Sequence, residues 1–209
     1  FINENKHPDF VKKEKELEAK LNKISVNFFS YNKSTLSNPE IILNKSGEPY
    51  KVYTPFYNFC KSIYSQQEVL FFPSKKINTY DIKEDSIDTL EILSPLKNKW
   101  SLKFDNYWVP GEEEAEKKIK NFFSTSLSSY KVIRNIPGKL GTSKLSPHLR
   151  FGEITTNQII NYFKFHENHN LNEHEEHFIK ELYWREYSYY ILFHFPYVVD
   201  KPFNKKYEH

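Results

Sequence analysis

The amino-acid sequence predicts a mainly α-helical protein whose helical part follows a shorter α/β segment and a linker. Apolar residues keep helical spacing after Pro110, and short β-branched and aromatic runs occur before residue 67. Between them lies a proline-containing stretch without periodicity, which is too long to be a common loop inside one compact domain. We therefore predict an α/β segment at 1–66, an interdomain linker at 67–109 and a helical domain at 110–209.

The first segment mixes helix and strand patterns. Residues from about Pro8 to Lys23 combine alternating charge with apolar residues at helical spacing, which predicts an amphipathic helix. The runs Val26–Tyr31 and Ile41–Leu43 are rich in aromatic and β-branched residues and are predicted strands. A helix is predicted from Pro55, because proline suits the first helical turn.

Helix starts recur in the last segment. Acidic residues precede lysines over Glu112–Lys120, an order that complements the helix dipole. Ser146 precedes a proline and is predicted to be an N-cap, and Thr155–Gln158 matches a capping box. A last, long helix is predicted from about Asn172 to Phe195, and it should end before Pro196.

Composition narrows the classes of function. No apolar run approaches the length of a membrane span, and the single cysteine, Cys60, excludes an internal disulfide or a thiolate zinc site. We expect no metal and a reducing, cytoplasmic compartment. The 5 glycines form neither a G-x-G-x-x-G motif nor a P-loop, and a net charge of +3 is weak support for nucleic-acid binding. The absence of methionine favours an internal fragment of a longer protein.

One stretch, Tyr130–Ile154, has the composition of an anion site. A polar loop enters a short helix there, and its backbone N–H groups and side chains suit a phosphate or pyrophosphate. The loop side chains with hydroxyl groups or positive charge are Thr142, Ser143, Lys144 and Ser146. The alternative is a capped helix with ordinary surface hydroxyls.

A second stretch, Glu181–Ser188, combines a carboxylate, an indole and a guanidinium. Glu181, Trp184 and Arg185 stand three and four residues apart, so we predict that they share one helical face. Together they could hydrogen-bond a base edge, stack on it and bind an anion. The alternative, which is favoured for this stretch alone, is a surface Glu–Arg pair beside a core tryptophan.

Taken together, these stretches resemble the DNA photolyase/cryptochrome family. Tyr130–Ile154 is similar to the family's flavin-phosphate loop, Gly-Thr-Ser-(Arg/Lys)-Leu-Ser-Pro-His-Leu-x-Phe-Gly-Glu-Ile, and Glu181–Glu186 to its Glu-Leu-x-Trp-Arg-Glu helix. Gly47–Phe56 resembles the end of the family's N-terminal α/β domain, and Trp108–Ala115 resembles the entry to its helical domain. Within the family, the resemblance points to class I cyclobutane pyrimidine dimer photolyases and to an internal fragment of one.

The resemblance implies a fold and a function. The fold would be the first half of an all-helical FAD-binding domain, preceded by the tail of a Rossmann-like antenna domain and a long linker. The parent protein would be a monomer that repairs pyrimidine dimers in damaged DNA by light-driven electron transfer from reduced FAD, with a possible second chromophore of folate or deazaflavin type. The 209 residues alone would be inactive. The alternatives are a cryptochrome-type photoreceptor without repair activity and a flavin-free helical module.

The resemblance also implies residue roles. The FAD-binding residues would be Tyr130, Thr142, Ser143, Lys144, Leu145, Ser146 and Arg185. The DNA-binding residues would be Arg134, Glu181, Trp184, Arg185 and Ser188, of which Glu181 and Trp184 would act on the lesion. Lys144 replaces a frequent arginine, which keeps the charge but loses bidentate geometry. These roles require the 142–146 loop and the face bearing Glu181, Trp184 and Arg185 to line one cavity.

Overall fold

The computed structural model describes residues 2–3, 6–31, 35–64, 101–164 and 170–208 of the chain. Helices predominate within these ranges, which confirms the mainly α-helical prediction. None of the helices there has both the length and the apolar character that crossing a membrane requires.

The described chain opens with a small β–α–β unit. Strand β1 (Ile2–Asn3) pairs in parallel with strand β2 (Ser30–Tyr31), and helix α1 (Pro8–Lys23) connects them. Parallel strands require such a crossover, because a tight hairpin can join only antiparallel strands. Both predicted ends of α1 are confirmed, whereas the predicted strand at 26–31 is shortened to its last two residues.

The predicted strand at Ile41–Leu43 is wrong. A 3-10 helix covers Pro39–Ile41, and the side chain of Asn38 caps it by accepting the N–H of Glu40 at 3.2 Å. An Asn cap followed by proline is a helix-start pattern, and here it prevails over the β-propensity of the isoleucines. Helix α2 (Tyr53–Tyr64) is confirmed and begins slightly before the predicted start at Pro55.

Most of the linker predicted at 67–109, namely residues 67–100, lies outside the described ranges, so the predicted domain boundaries stay predictions. The described residues from 101 onward are mainly helical, beginning with a 3-10 helix at Ser101–Asn106. The helices that follow are α3 (Glu112–Thr125), a 3-10 turn (Leu127–Ser129), α4 (Tyr130–Ile133), α5 (Ser146–Phe151), α6 (Thr156–Lys164) and α7 (Glu173–His194). Short 3-10 helices at Pro196–Val199 and Lys205–Tyr207 end the described chain.

Capping hydrogen bonds fix the starts of helices α6 and α7. At α7, the Asn172 side chain accepts the N–H of Glu175 at 3.1 Å, and the Glu175 carboxylate accepts the N–H of Asn172 at 2.8 Å. At α6, Thr155 and Gln158 make the same reciprocal exchange, at 3.1 and 2.7 Å. Both predicted starts are confirmed.

The predicted cap at Ser146 is wrong. Helix α5 already includes Ser146, and its N-cap residue is Leu145, whose buried apolar side chain cannot accept a hydrogen bond.

Helix α7 carries the core. Its inner face packs against α2, α4 and the short turns around them, with aromatic rings in mutual edge and tilted contacts. For example, the Phe178 ring lies 4.7 Å from that of Phe122 and 5.2 Å from that of Tyr130. Burying one such ring stabilises the fold by about 1.5–3 kcal/mol, so this cluster fixes α7 against α3 and α4.

Buried hydrogen bonds join the first segment to α7. The Tyr190 hydroxyl donates to the carbonyl of Ile42 and accepts the N–H of Tyr50, both at 2.8 Å. The Glu186 carboxylate accepts the N–H of Leu36 at 2.7 Å and a hydrogen bond from the Thr156 hydroxyl at 3.4 Å. Because these groups are buried, an unmade hydrogen bond here would cost about 1–3 kcal/mol. The first segment is therefore held in one position on α7.

The buried carboxyl of Glu186 makes stability depend on pH. Burial raises its pKa from about 4.5 to about 7, although the hydrogen bonds from Leu36 and Thr156 and the charge of Arg185 oppose the shift. The native state therefore holds more protons than the unfolded state between these values. The contribution of Glu186 to the free energy of unfolding is present below pH 4.5 and is lost as pH rises to 7.

We predict that Glu186→Gln removes this loss, which amounts to about 3 kcal/mol at most. Glutamine keeps an oxygen that can accept the N–H of Leu36 but does not titrate. Urea unfolding at several pH values measures the effect, and Glu176→Gln, a change at a half-exposed carboxylate on the same helix, should leave the wild-type slope in place. Parallel pH curves for wild type and Glu186→Gln would contradict the assignment.

Candidate functional site

The loop between α4 and α5 is anchored through its backbone. At Gly141, an added Cβ would lie 2.7 Å from the carbonyl carbon of Ile133, so only glycine allows this approach to α4. The Ser126 hydroxyl donates to the carbonyl of Leu140 at 3.0 Å, and the Leu145 side chain is buried. The loop is thus fixed at both ends while its middle remains at the surface.

The middle of the loop presents polar groups to solvent. Thr142, Lys144 and Ser146 are exposed and Ser143 is half-buried. Lys144 has φ of 53°, a left-handed backbone conformation that is uncommon for a residue with a side chain. Such strain persists only where the surroundings enforce it.

Helix α5, which follows the loop, is closed by a buried pair. His148 Nδ1 lies 2.5 Å from a carboxylate oxygen of Glu153, and the N–H of Glu153 donates to the His148 carbonyl at 2.9 Å. Gly152 makes the turn between them with φ of 75°. The second ring nitrogen of His148 is buried and has no hydrogen-bond partner among the described residues. This pair was missed at the sequence level, although both residues lie in the recognised motif.

Arg185 connects α7 to α5 and α6. Its guanidinium lies 3.5 Å from the carbonyl oxygen of Leu149 and 3.4 Å from the Thr156 hydroxyl, and it pairs with Glu186 at 3.1 Å. The guanidinium also lies 4.8 Å from the centre of the Tyr189 ring. It is therefore a partly buried cation beside the helix that the loop enters.

Arg134 connects the other end of the loop to α7. It forms an ion pair with Glu181, which raises the pKa of the Arg134 guanidinium mainly through the hydrogen bond between them. The guanidinium lies over the Tyr130 ring, 5.3 Å from its centre. Burial raises the pKa of the Tyr130 phenol, so the hydroxyl stays protonated at neutral pH and can donate a hydrogen bond.

The structure thus joins α7 to the end of α4, through Glu181 on Arg134, and to α5, through Arg185 on Leu149, with the loop between these two helices. Trp184 takes a different direction. Its ring stacks on Tyr53 of α2 at 3.7 Å between centres and 6° between planes. Since neighbouring residues on an α-helix lie about 100° apart, Trp184 and Arg185 point to different sides with Glu181 between them. The prediction that all three share one face is wrong for this pair.

Ser188 lies one turn beyond Trp184 on the exposed side of α7. Its hydroxyl donates to the carbonyl of Trp184 at 3.0 Å, within the helix. Trp184 itself keeps 45% of its surface exposed, which is high for a tryptophan. The solvent side of α7 therefore carries a carboxylate, a half-exposed indole and a hydroxyl in succession.

The comparisons with known proteins point to one family. The family model for DNA photolyase matches residues 1–74. A deoxyribodipyrimidine photo-lyase of Agrobacterium fabrum is 32% identical over 197 residues, which cover 93% of this chain and 41% of the relative. Cryptochrome-1 of Arabidopsis thaliana is 28% identical over 180 residues, which cover 83% of this chain and 26% of that protein.

Solved structures give the same result. The crystal structure of a class III photolyase from Agrobacterium tumefaciens matches with a TM-score of 0.81 and 30% identity, over 99% of this chain and 43% of that one. A Synechocystis cryptochrome matches with a TM-score of 0.66 and 19% identity over 92% of this chain and 41% of that one, a likeness of fold alone. The chain spans 41% of the length of the Agrobacterium photo-lyase that it matches.

We predict that Gly141→Ala lowers the free energy of unfolding by about 1–3 kcal/mol, because the new Cβ meets the Ile133 main chain, which cannot move aside as a flexible side chain could. Gly138→Ala is the matched control, since nothing lies within 4 Å of its added Cβ, and it should change stability by less than about 0.5 kcal/mol. Urea unfolding measures both. Equal effects of the two substitutions would show that the loop does not depend on this contact.

Proposed function

We propose that this protein, whose matches support its assignment to the DNA photolyase and cryptochrome family, repairs cyclobutane pyrimidine dimers in DNA with light and bound FAD. One observation carries the proposal: the two helices that flank the loop both contact α7, α4 through Arg134 on Glu181 and α5 through Leu149 on Arg185. The polar loop therefore connects two helices that are both fixed to α7, in a chain 32% identical to a photo-lyase.

The loop fits the phosphates of FAD. It contains no acidic residue between Arg134 and His148, and it presents hydroxyls and the Lys144 ammonium to solvent. We assign FAD binding to Tyr130, Thr142, Ser143, Lys144, Leu145, Ser146 and Arg185. Arg185 would add a second cation beside α5, and Tyr130 a protonated hydroxyl. When bound, reduced FAD supplies the photoexcited electron that splits the dimer.

The outer side of α7 fits a lesion flipped out of the duplex. A dimer costs less to extrude than a sound base pair, and stacking on an aromatic side chain contributes about 1–3 kcal/mol per base. We propose that Trp184 provides the stacking surface, that the Glu181 carboxylate accepts a hydrogen bond from the base edge, and that Ser188 lies beside them. Arg134 and Arg185 would provide phosphate affinity that weakens with added salt.

The proposal extends to the photolyase class, the cell compartment and the binding partners of the protein. The motifs imply class I, whereas the solved structure at 30% identity is a class III photolyase, and this match supports class III. We propose that the protein acts as a cytoplasmic monomer on damaged DNA. A second antenna chromophore, of folate or deazaflavin type, is proposed for the whole protein by analogy with the family.

The second candidate is a cryptochrome-type photoreceptor without repair activity, which the 28% identity to Cryptochrome-1 favours. A light-dependent repair assay on dimer-containing DNA separates the two, since a photoreceptor would leave the dimers intact. The absorbance spectrum of the purified protein tests the cofactor. A spectrum without flavin bands, in protein that also fails to take up added FAD, would instead favour a flavin-free helical module.

We predict that Glu181→Ala lowers the light-driven repair yield about tenfold, the effect of losing one hydrogen bond to a charged group. The flavin absorbance should stay unchanged, because without the partly exposed ion pair of Glu181 the loop keeps its contacts through Gly141 and Leu145, and α5 keeps its contact with Arg185. Glu176→Ala is the matched control, since it removes a half-exposed α7 carboxylate that pairs with Lys61 at 3.6 Å. Unchanged repair in Glu181→Ala, or an equal loss in both variants, would remove Glu181 from the proposed site.

A further inference from the structure

Tyr53 is attached to α7 at two points. Its hydroxyl donates to the carbonyl of Lys180 at 2.9 Å, and its ring stacks on Trp184 at 3.7 Å with the planes 6° apart. Both contacts fall within one turn of α7. The hydroxyl bond sets where the Tyr53 ring lies along the helix, and the stack then sets the orientation of the indole.

A third ring limits the indole further. Tyr187 meets Tyr53 edge-on at 5.7 Å and meets Trp184 edge-on at 5.8 Å, with interplanar angles of 74° and 76°. One face of the Trp184 indole is thus covered by Tyr53, and one edge borders Tyr187. Because Trp184 still exposes 45% of its surface, the accessible part is the opposite face with the remaining edges.

We infer that Tyr53 is a positioning residue that holds Trp184 as a stacking surface with a single open face for the flipped pyrimidine dimer. This inference rests on the proposed function, because it requires Trp184 to contact the lesion. An unsupported indole on a helix surface would lose rotational freedom on binding DNA, and that loss weakens affinity. An indole already fixed by a parallel ring avoids this cost. A sound, stacked base gains nothing from the fixed surface, so the advantage is specific to damaged DNA.

The test is the ratio of dissociation constants for an undamaged oligonucleotide and for the same oligonucleotide with one thymine dimer, measured in the dark with the flavin-loaded protein. Tyr53→Leu removes the stacked ring and should lower this ratio by up to about tenfold, the cost of immobilising one side chain on binding. Tyr53→Phe keeps the ring and loses the hydroxyl, and it should keep the ratio within about threefold of wild type, because the stack alone restores most of the orientation. Binding to undamaged DNA should be equal in all variants.

Phe56→Leu is the matched packing control. Phe56 lies one turn along α2, is buried, and contacts Tyr187 and Tyr190 at 5.1 and 4.8 Å. It should lower the midpoint of urea unfolding at least as much as Tyr53→Leu but leave the selectivity ratio unchanged. The inference would be overturned if Tyr53→Leu kept the wild-type selectivity ratio, or if Phe56→Leu lowered that ratio as much as Tyr53→Leu does.

Wild type and Trp184→Ala distinguish this inference from the proposed function. If wild-type protein shows no preference for the dimer, the proposed function fails and the role of Tyr53 fails with it. If Trp184→Ala loses the preference while Tyr53→Leu keeps it, the function stands and only the positioning role of Tyr53 is overturned.

Discussion

The hydrogen bonds that hold the first segment on α7 are the constraint on which the other features depend. Tyr190 and Glu186 of α7 satisfy buried backbone groups of residues 36, 42 and 50, which would otherwise lose their hydration without compensation. Because the first segment is held there, α2 packs against α7 and Tyr53 stacks on Trp184. On the other side, Arg134 and Arg185 join the two helices that flank the loop, α4 and α5, to the same helix. One helix therefore carries the loop on one side and the aromatic stack on the other.

The ion pair between Arg134 and Glu181 couples two groups to which we assign different DNA contacts. Both side chains are partly exposed, at 23% and 34%, and a pair of this kind contributes only about 0–1 kcal/mol. A phosphate can replace Glu181 as the partner of Arg134 at little cost, and the carboxylate is then available to the base edge. Without DNA, the same pair keeps the carboxylate from standing unpaired beside the loop.

Local patterns were predictable from the sequence, and contacts between distant residues were not. The caps at Asn172 and Thr155 were predictable because every partner lies within three residues. The 3-10 helix at Pro39–Ile41 was missed because β-propensity was weighed above the Asn-Pro pattern. The loop motif identified Thr142–Ser146 as a candidate site. No sequence pattern could pair Tyr53 with Trp184 or Arg134 with Glu181, since only the packing of α2 and α4 on α7 brings them together.

The two sides of α7 differ in what supports them, and this difference has a physical consequence. The loop is held by α4, α5 and α7, through Gly141 on Ile133 and Arg185 on Leu149. The aromatic stack depends on α2, which is held by the packing of its inner face on α7 and by the buried hydrogen bonds of the first segment. Each such bond contributes about 0.5–1.5 kcal/mol net. Loosening the first segment therefore removes the support of Trp184 while the loop keeps its own contacts, so recognition of damaged DNA is the more easily lost of the two proposed properties.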